Sequence, residues 1–235
     1  MKLKPNSATA VEGRTIFTKS VRDVMTGVKL LKPAKWNSKL SGGKFTQVVV
    51  GHWAGMPVYS LTLEERATCP RSCTFWRDCY GNNMPLAHRF QHGKKLELEL
   101  FHELWDLHDR HQHGFVVRLH ILGDFYSIRY VKRWCEWMEL FPKLRVWGYT
   151  ARLPGTKIGD EVLKVREKYP KRFVIRFSGG GEEPLSANRI DSDIGQKQLQ
   201  EKHAVICPEQ TGRIGTCLEC TLCWASPKHI LFIPH

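Results

Sequence analysis

Seven of the eight cysteines in this 235-residue chain fall into two groups. Cys69, Cys73 and Cys79 are spaced C-x3-C-x5-C, and Cys207, Cys217, Cys220 and Cys223 are spaced C-x9-C-x2-C-x2-C. Short loops can turn closely spaced thiolates toward one centre. A C-x2-C-x2-C run is a compact claw of the kind that ligates iron–sulfur clusters. Four cysteines also make a closed tetrahedral zinc site, so zinc is the competing metal. The plainer alternative is a set of buried or disulfide-bonded thiols.

Ligand count separates the two groups. Four cysteines saturate a four-iron cluster or a zinc ion. Three leave one iron of a 4Fe-4S cluster open to a substrate, a cofactor or water, where it can transfer electrons or act as a Lewis acid. Cys69, Cys73 and Cys79 therefore read as a working site, and the four later cysteines as a closed structural or electron-relay site. Pooling both groups into one centre is the other arrangement. Cys135 stands alone between Trp134 and Trp137 on a predicted helix and reads as a core thiol.

These loops need elements to hold them. Runs rich in β-branched residues predict strands at 45–50, 57–61, 115–122, 144–149, 173–177, 203–206 and 229–233. Helical spacing predicts helices at about 86–110, 130–141 and 159–169, the first with Leu96, Leu100, Leu104 and Leu107 on one stripe. Alternation of the two implies an α/β fold: a partial (β/α) barrel of about six mostly parallel strands, or an open sheet of the same strands, with cysteine-rich loops. Residues 1–43 read as an irregular arm with one short helix. Residues 44–235 read as a single domain that includes the cysteine-rich segment 207–223.

In such folds function gathers at the carboxyl ends of the strands. The candidates there are Asp124 as a general acid or base and His120 on the same face as Leu122. Arg176 and Ser178 follow at the end of a later strand, beside Tyr149, Thr150 and Arg152 from another. Ser178 lacks the flanking pattern of a nucleophile elbow. The plainer readings are a turn carboxylate for Asp124 and a hydrogen-bonded core histidine for His120.

The net charge is +13, which favours polyanions such as nucleic acid or phosphorylated metabolites over neutral surfaces. Eleven per cent aromatic residues exclude a disordered chain. No leader and no apolar run long enough for a membrane are evident, so a cytoplasmic, non-membrane protein is expected. A reducing compartment favours metal ligation over disulfides. A small-molecule substrate is expected in the strand-end pocket; the sequence carries no signal for oligomeric state.

Two resemblances rest on these residues. A three-cysteine loop after an early strand, followed by β–α repeats, resembles the radical S-adenosylmethionine superfamily, although here the third cysteine is delayed to Cys79. That resemblance implies a bound S-adenosylmethionine, with Gly123, Gly179 and Gly180 as cofactor-binding strand-end glycines. Over about residues 44–235 the chain is similar to a phage- and plasmid-borne family of the gene product eighty-eight type. The carrying segments are Cys69-Pro70 to Tyr80, Leu122 to Ser127, Trp147 to Thr150, Arg176-Phe177-Ser178, Cys207 to Gln210, Cys217 to Trp224 and Ile230 to His235. This implies a mobile-element origin in a bacterial host. The expectation is an iron–sulfur enzyme, by radical-type chemistry or by non-redox hydrolysis of esters or amides. The third expectation is a nucleic-acid-binding phage protein with a structural cluster or zinc.

Overall fold

Alternation along three central strands decides the architecture. The computed structural model describes every residue except 180, 182, 184 and 235. In chain order its elements are α1 (Ala8–Glu12), β1 (Val21–Arg22), β2 (Lys32–Pro33), α2 (Ser38–Ser41), β3 (Val58–Ser60) and β4 (Arg89–Phe90). Then come α3 (Lys94–Arg110), β5 (Phe115–Leu119), α4 (Ile128–Leu140), β6 (Leu144–Thr150), α5 (Lys157–Lys168), β7 (Phe173–Ser178) and β8 (Ser186–Arg189). The chain ends with α6 (Asp193–Gln200), β9 (Ala204–Ile206), α7 (Cys217–Cys220), α8 (Leu222–Ala225) and β10 (His229–Phe232).

One sheet runs β2-β3-β5-β6-β7-β8-β10-β9, so it holds eight strands where about six were expected. Every neighbouring pair is parallel except the edge pair β2–β3. Side chains of β5, β6 and β7 point alternately to opposite faces. Phe115, Val117, Leu119, Val146, Phe173 and Ile175 pack on one face against Leu100, Leu104, Trp134, Met138 and Val162 of α3, α4 and α5. Val116, Trp147 and Val174 face the other way and meet Trp53, Leu218 and Trp224. Arg118, Tyr149 and Arg176 continue that second face by the period of two. The three helices start cleanly after strands because Ser127, Thr156 and Ser192 cap the first turns of α4, α5 and α6.

Several expectations change. The run 45–50 forms no strand, only an isolated bridge from Gln47 to Pro57. The Val49 amide instead donates to the Leu218 carbonyl beside the second cysteine group. The long helix begins at Lys94, not near 86, because Arg89 and Phe90 pair with β1. Residues 1–43 carry two short helices and a strand of the main sheet. Cys135 is half-buried at the edge of the core.

Candidate metal centre

The first cysteine loop leaves β3 through an unusual buried run, Glu64-Glu65-Arg66, followed by Thr68. Charges this deep must be paired. Arg14 grips Glu64 with two bonds of 2.6 and 3.0 Å. Glu65 accepts from the Thr15 hydroxyl at 2.6 Å and from Arg89 Nε at 2.7 Å. The two buried arginines then frame the loop. Arg66 donates to the Trp76 carbonyl and to Asn82 Oδ1, and Arg89 to the carbonyls of Gly81, Met84 and Ala87. The N-terminal arm closes over the outside, where Arg71 and the Trp76 indole donate to backbone carbonyls of Ala10 and Val11.

The loop rests on the carboxyl ends of the strands. Gly123, at φ +85°, leaves no room for a β-carbon, which would lie 2.7 Å from Thr68 Oγ1. Gly179, at φ +75°, is similarly close to Thr74, 2.9 Å from its Oγ1. The strand-end glycines expected to cradle a cofactor thus receive threonines of the cysteine loop. Gly180 lies outside the described residues. Arg152 ties β6 to the loop by donating to the Thr68 carbonyl at 2.7 Å. A cleft of about 280 Å³ opens beside it, lined by Pro70, Ser72, Ala151, Arg152 and Lys157 among others.

Asp124 is buried beneath the loop. Its carboxylate accepts from the Thr150 hydroxyl at 2.6 Å and from the amides of Ala151 at 2.8 Å and Phe125 at 2.6 Å. Burial outweighs these donors and raises its pKa to about 6. Cys69 and Cys73 both feel the Asp124 charge, and Cys69 also feels Cys73 and Cys79. Burial pushes all three thiols up, Cys73 to about 12.

The second group lies against the sheet face opposite the helices. Trp224 of α8 stacks on Trp53 at 5.6 Å between centroids and tilts against Trp147 at 4.7 Å. Cys217 and Cys207 are buried, Cys220 and Cys223 half-buried. Cys223 feels Cys207 and Cys220, and Cys217 feels Cys223. The Tyr149 hydroxyl donates to Cys223 Sγ at 2.7 Å. Arg118 lies within electrostatic reach of Cys217 and of Tyr80, the neighbour of Cys79.

The remaining candidates separate. His120 does not share a face with Leu122. It packs on the helix side against Phe125 and Tyr130, 3.2 Å from the Tyr130 hydroxyl, while Leu122 joins the opposite core. Alternation cannot be carried that far because β5 ends at Leu119. Arg176 is fully buried and donates to four carbonyls, those of Leu222, Cys223, Ser226 and Lys228. It is a positioning residue for the second cysteine group, with four of its five N–H donors committed to these carbonyls. Ser178 makes no side-chain hydrogen bond to a histidine among the described residues. Sequence reasoning missed Arg66, Arg89 and Arg118; three charges at 64–66 directly before a cysteine loop were the one available signal.

All eight cysteines are free thiols. Among the described residues, no three His, Cys, Asp or Glu side chains converge closely enough to hold a single metal ion. No helix among them is long and apolar enough to cross a membrane. A family model described as gene product 88 matches residues 29–226. The Gene 88 protein of Mycobacterium phage D29 is 27% identical over 131 residues, 50% of this chain and 54% of that protein. The chain thus spans about half the length of this curated relative. No solved structure matches.

Proposed function

The chain belongs to the gene product 88 family, which has a phage-encoded relative; from its cysteine groups we propose that it is an iron–sulfur enzyme whose working cluster is held by Cys69, Cys73 and Cys79. A second centre is held by Cys207, Cys217, Cys220 and Cys223. The observation that carries this reading is the gathering of three unpaired thiols over the carboxyl ends of parallel strands, beside a buried carboxylate. Zinc, whose four thiolates converge on one ion, is the competing metal for the second group. Cluster irons occupy separate corners and accept more widely spread thiolates.

When bound, a cluster with three protein thiolates supplies an iron with an open position for substrate or cofactor. The chain's own residues do the rest. Asp124, with a pKa near 6, can hold or release a proton near neutrality at its carboxylate oxygens. Arg152 and Lys157 give the adjoining cleft a positive lining suited to an anionic small molecule. Tyr149 orients the Cys223 sulfur through its hydroxyl, as residues behind metal ligands do. The non-helical sheet face, lined by Arg118, Tyr149 and Arg176, acts as the interior of a partial barrel.

Iron and acid-labile sulfide content, with a visible spectrum of protein purified anaerobically, tests this directly. A brown protein absorbing near about 400 nm is expected. Cys69→Ala and Cys220→Ala should each remove roughly half the iron, and the double variant nearly all of it. A colourless protein containing stoichiometric zinc overturns the proposal. Equal and complete iron loss in either single variant replaces two centres by one shared centre.

A further inference from the structure

Three clefts join end to end along one flank of the molecule. The central one, of about 750 Å³, is walled by Pro33, Trp36, Pro85, Leu86 and Phe90. It shares Lys32, Pro33 and Trp36 with a second cleft that reaches Lys29 and Arg110. It shares Pro85, Leu86 and His88 with a third that reaches Lys19 and Arg22. None of the three includes a cysteine.

The charge on this groove is one-sided. Lys19, Arg22, Lys29, Lys32 and Arg110 are all exposed. Among the described residues only Lys29 of these forms a salt bridge, at 3.4 Å to Asp106. The other lining carboxylate, Glu103, is buried and already accepts from the amides of Leu30 and Leu31. At the join of two clefts stands Trp36, 75% exposed, with the Lys35 ammonium 5.2 Å from its ring centroid. Leaving so large an indole in water is unfavourable by area alone. A flat π-face beside unpaired cations matches one chemistry well: bases that stack and phosphates that neutralise.

We infer that this groove binds single-stranded nucleic acid, with a base stacked on Trp36 and the backbone passing Lys32 toward Arg110 on one side and Arg22 on the other. Single strands fit because their base faces are free; in a duplex those faces are already covered. A second copy of the chain is a poor occupant, since two bodies of net charge +13 repel. The groove residues are not cysteine ligands, so this inference stands apart from the iron–sulfur reading.

The test is fluorescence anisotropy of the full chain with labelled oligothymidylate, oligouridylate and a duplex of equal length, across a salt series. Single strands should bind at least about tenfold more tightly than the duplex, and the DNA and RNA arms identify which strand is preferred. Trp36→Ala should weaken binding about 5- to 100-fold, with Trp36→Phe retaining most of it. Lys32→Glu with Arg110→Glu should lower the slope of log affinity against log salt. Iron content measured on each variant should match the parent, which separates a failed groove from a failed cluster. Duplex binding as tight as single-strand binding, indifference to Trp36→Ala, or no binding overturns the inference. So does self-association that Trp36→Ala abolishes without any oligonucleotide binding.

Discussion

Arg176→Met should release the C-terminal cysteine segment and cost about 3–5 kcal/mol, the range for breaking a buried charged network. Arg176 has no exposed surface, and its partners are four carbonyls within one short stretch. The Leu222 carbonyl also accepts from the Ser226 amide, whereas those of Cys223 and Ser226, at the end of α8, have no intrahelical donor. One planar guanidinium satisfies these orphaned groups and places its charge at the negative end of the helix. Methionine fills a similar volume and donates nothing, so these part-buried acceptors lose a donor, at about 1–3 kcal/mol for one that water does not reach. Arg176→Lys should not rescue, because a compact ammonium cannot span the same four oxygens. Hydrogen exchange over residues 216–228 should rise by orders of magnitude while that of β5 and β6 stays protected. Native protection of this segment in the methionine variant would sink the argument.

That role for Arg176 was not legible in the sequence, and the reason is instructive. A strand-end arginine looks alike whether it meets a substrate or a distant carbonyl, and the partner here arrives some fifty residues later. What could be read was local. The β-branched runs of β5, β6 and β7 and the leucine stripe of α3 follow from periodicity, and all reappear in the fold. The two cysteine groups were legible as groups because their spacing is short. By contrast β8, Ser-Ala-Asn-Arg, has neither alternation nor β-branched residues. It is a strand because β10 lies beside it, forty residues onward, and inserts between β8 and β9. The failed strand at 45–50 is the converse: strong propensity, yet Val48 pairs with Met56 and Val49 with Leu218 rather than with the main sheet. The buried charges at Glu65, Arg66 and Arg89 were hidden because pairing across the fold, not composition, makes their burial tolerable.

The acid side of stability should be controlled by His120. Its ring is buried against Phe125 and Tyr130, and Nδ1 has no hydrogen-bond partner among the described residues. Burial alone holds its pKa down to about 3, against 6.5 when solvated. Between these values the unfolded chain binds a proton that the folded chain refuses, so stability falls as pH drops from 6.5 toward 3. The full span corresponds to at most about 5 kcal/mol. Asp124, four residues on, has the opposite slope. Its pKa is raised from 3.8 to about 6, so the folded state takes up its proton first and gains stability as pH falls through that window. That term is smaller, at most about 3 kcal/mol, and only partly offsets the histidine. Tyr130, the other titratable group touching His120, is driven upward and stays neutral throughout. His120→Gln should therefore flatten the acid limb of denaturant stability between pH 6 and about 4, or reverse it, while Asp124→Asn steepens it. The slopes read titration and the offsets read lost hydrogen bonds, so the two effects separate within one data set. Parallel curves for parent and His120→Gln would mean that the imidazole is already charged, or already in water, in the folded protein.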